Sequence, residues 1–392
     1  MIDIKKYISI MSMSSLLLAG CATQPIDQAT QQPSDTTTQK TDTQPEKYTI
    51  GSILPLTGDG AAYGIPLQRT VEYTINQLNE KGGINGKKLE IIYEDGKCSG
   101  KDASSAANKL INIDKVKIIL GGFCSSETLG AAPLAENAKV VMLSPGSSSP
   151  AITDAGDFIF RNWPSDKSQA KLLAEKANQM GLKKVGIIGE KSDYAVGLST
   201  AFIQTFTGLG GQTVLEEYLS DDSDFKTQLT KLKGENLDGL FINPQTPDKG
   251  ELIVKQLQEL SFKPKQMFVN EVITTYPQLV EKYGEFFEGT VGADVAFDEN
   301  QPEVQKMKDW YKQKYGSDLP YVSFAATGYD AIYIISEAIV NARIDNPTGL
   351  RDYLYSIKDR QGLAGKLTID KNGDPTSGHA LKIIKAGKAE YL

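Results

Sequence analysis

The chain is poor in the groups that catalysis and metal binding usually need. Histidine occurs once in 392 residues, at His379, with no cysteine or second histidine at metal-ligand spacing beside it. There is no G-x-S-x-G elbow, and the glycine-containing stretch from Gly58 to Gly64 lacks the Lys-Ser/Thr pair of a nucleotide triphosphate loop. A lone histidine is more often core or surface than catalytic, so an enzyme is not expected, nor a metal or organic cofactor. No apolar run outside the N-terminus approaches the ~20 residues that span a bilayer. Positive charge is also short, with 42 Lys+Arg against 49 Asp+Glu and a formal charge of −7, which argues against nucleic acid as a partner. Cysteine is limited to three positions, Cys21, Cys98 and Cys124.

The first cysteine closes the clearest local signal. An apolar stretch begins after Lys5 and Lys6, is too short and too serine-rich to cross a membrane, and ends in Leu18-Ala-Gly-Cys21. Residues 1–20 are expected to be a lipoprotein export signal, and Cys21 the lipid-bearing N-terminus that fixes the protein to the membrane. The competing reading is an ordinary secretory signal that happens to end at a cysteine. Removal of Lys5, Lys6 and Asp3 leaves a mature charge of −8. Residues 21–47 are Gln, Thr, Asp, Ser and Pro with almost nothing apolar, a disordered tether that cannot bury enough surface to offset its ordering entropy. The location is therefore extracytoplasmic, facing the periplasm or the cell exterior. In an exported protein Cys98 and Cys124 are most simply a disulfide, worth about 3–4 kcal/mol through loop closure. Two buried free thiols are the alternative.

Beyond the tether, β-like runs alternate with helical periodicity: Tyr48 to Leu56, then a helix to Leu78; Lys88 to Tyr93, then Ala103 to Ile113; Val116 to Leu120, then Ser126 to Asn137. The same alternation restarts after Phe158 to Asn162 and continues to Gln266 to Val269. Alternation of this kind predicts α/β architecture: two doubly wound parallel-sheet lobes, with ligands taken between the carboxyl ends of their strands. Residues after Gly289 are too few for a third sheet and should complete the first two. The expected lobes are residues 48–164 with 293–377, and 165–292 with 378–392, joined by a hinge of several crossings near Pro164, Ala293 and Ser377 that suits rigid-body closure.

Polar residues gather at the strand-to-helix junctions. Cys124, Ser125 and Ser126 follow one strand and open a helix, so hydroxyls and amides there suit an anion such as a carboxylate. Ser144 to Ser149 follows the next strand in the same way. Helix capping alone explains such serines equally well. Glu271 follows the strand ending at Val269 and is costly to enclose unless a cation, such as a ligand ammonium, meets it. The competing reading is a solvated glutamate.

The ordered set of Leu54-Pro-Leu-Thr-Gly58, Tyr63-Gly64, Asn79 to Gly86, Tyr93-Glu-Asp95 with Cys98, Gly121-Gly-Phe-Cys-Ser-Ser126, Leu143 to Ser148, Tyr194 and Gly328-Tyr-Asp-Ala331 resembles the leucine/isoleucine/valine-binding protein family. These are the type I solute-binding proteins of branched-chain amino acid ABC transporters, and the similarity runs from Tyr48 to the C-terminus. The resemblance implies that Ser125 binds the α-carboxylate, that the turn Gly146, Ser147, Ser148 supplies head-group contacts, and that Glu271 meets the α-ammonium. It implies an aromatic wall of Tyr63, Tyr194 and Phe324. Two departures bear on the ligand: Asn243-Pro-Gln245 stands where the family often has an aromatic, placing the Gln245 amide in the side-chain pocket, and Val272 adds bulk after Glu271. The implied function is capture of an amino acid, branched-chain or related, by lobe closure, and its delivery to an ABC transporter permease by a monomeric protein. The rivals are a sensory ligand-binding module and a binding protein for an amide, urea or aromatic acid.

Overall fold

A computed structural model describes residues 47–392; the expected signal, Cys21 and nearly all of the tether lie outside the described residues. The long apolar runs become strands buried on both faces, as parallel strands between helix layers must be. Strands β1 (Lys47–Leu54), β2 (Lys88–Asp95), β3 (Ile118–Gly121), β4 (Val141–Ser144) and β5 (Ile159–Arg161) form one sheet, in the order β2-β1-β3-β4-β5 and parallel throughout. All four residues of β3 and of β4 are buried.

The second sheet takes β6 (Lys184–Glu190), β7 (Gln212–Tyr218), β8 (Gly239–Asn243), β9 (Gln266–Val269) and β10 (Val291–Val295), again parallel. A small antiparallel pair, β11 (Arg360–Gly362) and β12 (Gly365–Leu367), stands apart. Strands β13 (His379–Lys385) and β14 (Lys388–Tyr391) then add an antiparallel edge beside β10, giving the order β14-β13-β10-β9-β8-β6-β7. That edge carries no apolar run in the sequence. Only two of the seven residues of β13 are buried.

The chain passes from one sheet to the other after Arg161, where the helix Asp166–Gln179 packs beside β10 and β13. It returns after Val295, where the helices Pro302–Tyr315 and Val322–Ala342 pack on the helix Ala61–Glu80. It enters the second sheet again at His379. The disulfide Cys98–Cys124 links the loop after β2 to the loop after β3, closing 26 residues with Cα atoms 5.1 Å apart. No described helix is long and apolar enough to cross a membrane.

Candidate functional site

The loops after the carboxyl ends of the parallel strands converge on one place. The chain leaves β1 towards Tyr63, β3 towards Ser125, and β4 towards Gly146 and Ser148; from the other sheet it leaves β6 towards Tyr194, β8 towards Gln245, and β9 towards Glu271. Together with Phe324, from the long helix Val322–Ala342, they line a narrow cavity of about 30 Å³. Ligands of open α/β sheets bind at such crevices beyond the strand ends.

On the first-sheet side the groups are held by bonds of their own. Ser125 is the first residue of the helix Ser125–Ala138, whose opening amides have no intrahelical acceptor. Its Oγ accepts from Ser149 N at 3.1 Å, leaving the hydroxyl proton to give. Glu127 fixes this turn from behind, accepting from Phe123 N at 2.9 Å, Cys124 N at 3.0 Å and Cys98 N at 3.0 Å. Burial pushes its carboxyl up to about 8, although the three amides pull it down. Gly146 is required by contact, since a Cβ there would overlap the Phe123 ring. Arg161 secures the neighbouring turn with one guanidinium nitrogen on the Ser149 carbonyl at 2.9 Å and two others on Asp374 at 2.7 and 3.0 Å. Such a fork is rigid and directional. Ser147 faces inward: its hydroxyl donates to the Gly122 or Phe123 carbonyl (2.9 and 3.0 Å) and meets Thr128 Oγ1 at 2.7 Å, so its side chain is outside the cavity lining.

The second-sheet side is different. Glu271 opens the short helix Glu271–Thr274, is buried, and has no ion-pair partner among the described residues. Gln169 Nε2 donates to it. Burial pushes the carboxyl from 4.5 up to about 7, against the pull of that hydrogen bond. The buried Tyr194 hydroxyl has no hydrogen-bond partner, and burial, then Glu271, keeps it protonated. Of the polar pair expected after β8, Asn243 is structural, donating to Ala195 O at 2.8 Å and Ser199 Oγ at 2.9 Å. Gln245 alone reaches the cavity. Its main-chain oxygen accepts from the Tyr63 hydroxyl at 3.3 Å, a bond that joins the two sides directly.

The walls are aromatic. Phe324 packs on Trp163 and Phe123, with ring centroids 4.2 and 4.9 Å apart, and Tyr63 packs on Tyr321 at 4.6 Å. Such pairs add about 0.5–1.5 kcal/mol each beyond area burial. Eight of the nine residues anticipated from the sequence therefore share one cavity, with the Ser147 side chain turned away. Val272 and Cys124 line it too, as does Phe123, which sequence reasoning did not single out. Trp163 and Tyr321 escaped it because their role is to back other rings. The only cluster of described residues with metal-ligand chemistry is Cys98, Cys124 and Glu127, and both thiols are already joined as a disulfide.

Comparison with known proteins places this geometry. The amino acid binding protein of Pseudomonas aeruginosa is 28% identical over 332 residues, covering 83% of this chain and 86% of that one. The Leu/Ile/Val-binding protein of Escherichia coli is 28% identical over 336 residues, covering 84% and 88%. Among solved structures, the leucine binding protein LivK of Thermotoga maritima superposes with a TM-score of 0.78 at 30% identity, covering 88% of this chain and 97% of that one. The branched-chain amino acid transporter substrate binding protein LivJ of Streptococcus pneumoniae, in complex with isoleucine, gives 0.76 at 25% identity, covering 88% and 98%. The family model described as periplasmic binding protein matches residues 47–388. With strand order, cavity and family match in agreement, the chain belongs to the periplasmic binding proteins, which hold solutes and are not enzymes.

Proposed function

We propose that this protein captures an amino acid, branched-chain or of similar size, between two lobes and delivers it to the permease of an ABC transporter. The observation that carries the reading is the division of the cavity by charge preference. Donors at a helix N-terminus and a tight turn, Ser125 with Gly146 and Ser148, face from one sheet. A buried carboxylate without a counter-ion, Glu271, faces from the other. A zwitterion satisfies both at once, whereas a carboxylic acid without an amine leaves Glu271 dry and unpaired.

In this reading the lobes are residues 48–164 with 293–377, and 165–292 with 378–392. The amino acid touches both only when they meet, so its differential affinity stabilises the closed form. Cys21 bears lipid, residues 21–47 act as a tether, and the protein works as a monomer outside the cytoplasmic membrane, where released ligand has a short path to the permease. The amino-acid relatives named above and the polar groups that face the cavity from both sides support this assignment.

Mass spectrometry of small molecules that co-purify with the folded protein, followed by calorimetric titration with each common L-amino acid, tests it. Recovery of an amino acid that rebinds saturably is the expected result. Binding of carboxylates alone, with no amino acid bound, would overturn it.

A further inference from the structure

The turn that carries Ser125, on the first-sheet side of the cavity, is tied to the neighbouring loop twice. Cys98, in the loop after β2, and Cys124, in the loop after β3, are joined by the disulfide. Glu127, wholly buried at the third position of the helix Ser125–Ala138, joins the same two loops without a covalent bond. One oxygen of its carboxyl accepts from Cys98 N at 3.0 Å, and the other accepts from Phe123 N at 2.9 Å and Cys124 N at 3.0 Å.

The backbone on both sides is shaped to this carboxyl. A Cβ at Gly96 would overlap its Oε1, and a Cβ at Gly122 would overlap the Glu127 Cβ, so each loop has glycine where the side chain passes. Cys98 has a φ of 52°, a left-handed conformation that a residue other than glycine keeps only where its surroundings fix it. In that conformation its N–H ends on Glu127.

The two ties act on different things. A disulfide stabilises chiefly by restricting the unfolded chain, and this one holds a single side chain of the turn, that of Cys124. Glu127 instead fixes the peptide planes of Phe123 and Cys124, immediately before the Ser125 amide. Phe123, Cys124 and Ser125 all line the cavity. With the disulfide open, Cys98 N still meets Glu127 and the loops stay joined. With the Glu127 carboxyl gone, three buried N–H groups lose their acceptor and the turn must shift to find others.

We propose that Glu127 is the positioning residue for the donors around Ser125, and that the disulfide is dispensable for ligand affinity and serves stability alone. The proposal rests on the amino-acid reading, which puts the ligand carboxylate at Ser125, and adds the group that aims the donors.

The test compares wild type, Cys98→Ala, Glu127→Gln and Gly96→Ala. Cys98→Ala opens the disulfide and keeps the main-chain N–H. Glu127→Gln keeps the side-chain length but sets an amino group where an acceptor is needed, and Gly96→Ala pushes the carboxyl aside without removing it. In calorimetric titration with the tightest-binding common L-amino acid, Cys98→Ala should stay within about threefold of wild type despite a lower melting temperature. Glu127→Gln should lose about tenfold or more, and Gly96→Ala less in the same direction. Amide hydrogen exchange on the ligand-free proteins separates positioning from general loosening: in Glu127→Gln it should quicken most at residues 122–126, and in Cys98→Ala it should stay slow there. A loss for Cys98→Ala that equals or exceeds that for Glu127→Gln, or exchange in Glu127→Gln no faster at residues 122–126 than across both sheets, would overturn the proposal. If Glu127→Gln does not fold, Gly96→Ala decides in its place, and an affinity equal to wild type overturns it. Failure of wild type to bind any L-amino acid would overturn the amino-acid reading instead, while the exchange comparison still judges which tie holds the turn.

Discussion

The two faces of the cavity solve opposite problems by opposite means. On the first-sheet side nearly every polar group is already bonded within the protein: Ser125 to Ser149, Glu127 to three amides, Arg161 to Asp374 and a carbonyl. On the second-sheet side Gln169 Oε1 has no partner, and Glu271 has no cation beside it. A preorganised donor set docks an anion with little rearrangement. The starved acceptor set instead penalises every occupant that lacks a cation. Rigidity on one side and deficit on the other divide the labour between docking and selection.

The largest expected effect is on the rigid side and on stability. Asp374→Ala leaves Arg161 buried without its partner and should cost about 3–5 kcal/mol, read as a lower denaturation midpoint. A loss below about 1 kcal/mol would mean that the first-sheet side is not held by this fork. The next effect belongs to the deficient side: Glu271→Gln should weaken amino acid binding well over tenfold, on the order of a hundredfold, in calorimetry. Unchanged affinity would erase the contrast between the faces. Ser125→Ala should cost less, about fivefold to tenfold, because backbone donors remain around it.

The smallest effect is in pH. Burial raises the Glu271 carboxyl from 4.5 to about 7, so the unfolded chain releases this proton first and the folded protein retains it. Stability from this group is therefore greatest at low pH and is lost as pH rises through the window from 4.5 to about 7. His379, held at about 3 by burial, works in the opposite direction below its ordinary 6.5. The difference in melting temperature between ligand-free wild type and Glu271→Gln cancels that contribution and should decline across the window. A flat difference would place Glu271 in solvent.

The alternation of strands and helices was legible because parallel strands covered on both faces are written as unbroken apolar runs, as in Gly239–Asn243, where every residue is buried. The C-terminal edge was not, because β13 and β14 are half exposed and rich in lysine. The helix Pro347–Ser356 was also missed, since only Leu350 and Leu354 of its ten residues are buried. Within the site, residues that follow strand ends could be named because position in the chain fixes position in the fold. The burial of Asp166 behind the site could not be. As the acidic residue after Ser165 it has the look of an ordinary helix start, and nothing local distinguishes it from the 49 acidic residues of the chain. Its burial arises only when the turn after β4 folds over it.

The Tyr63 hydroxyl ends on the main-chain oxygen of residue 245, not on its amide. The side chain at that position can therefore be exchanged while the bond across the cleft persists. A change of the Gln245 side chain thus alters the lining of the cavity without removing the link that Tyr63 makes between its two sides.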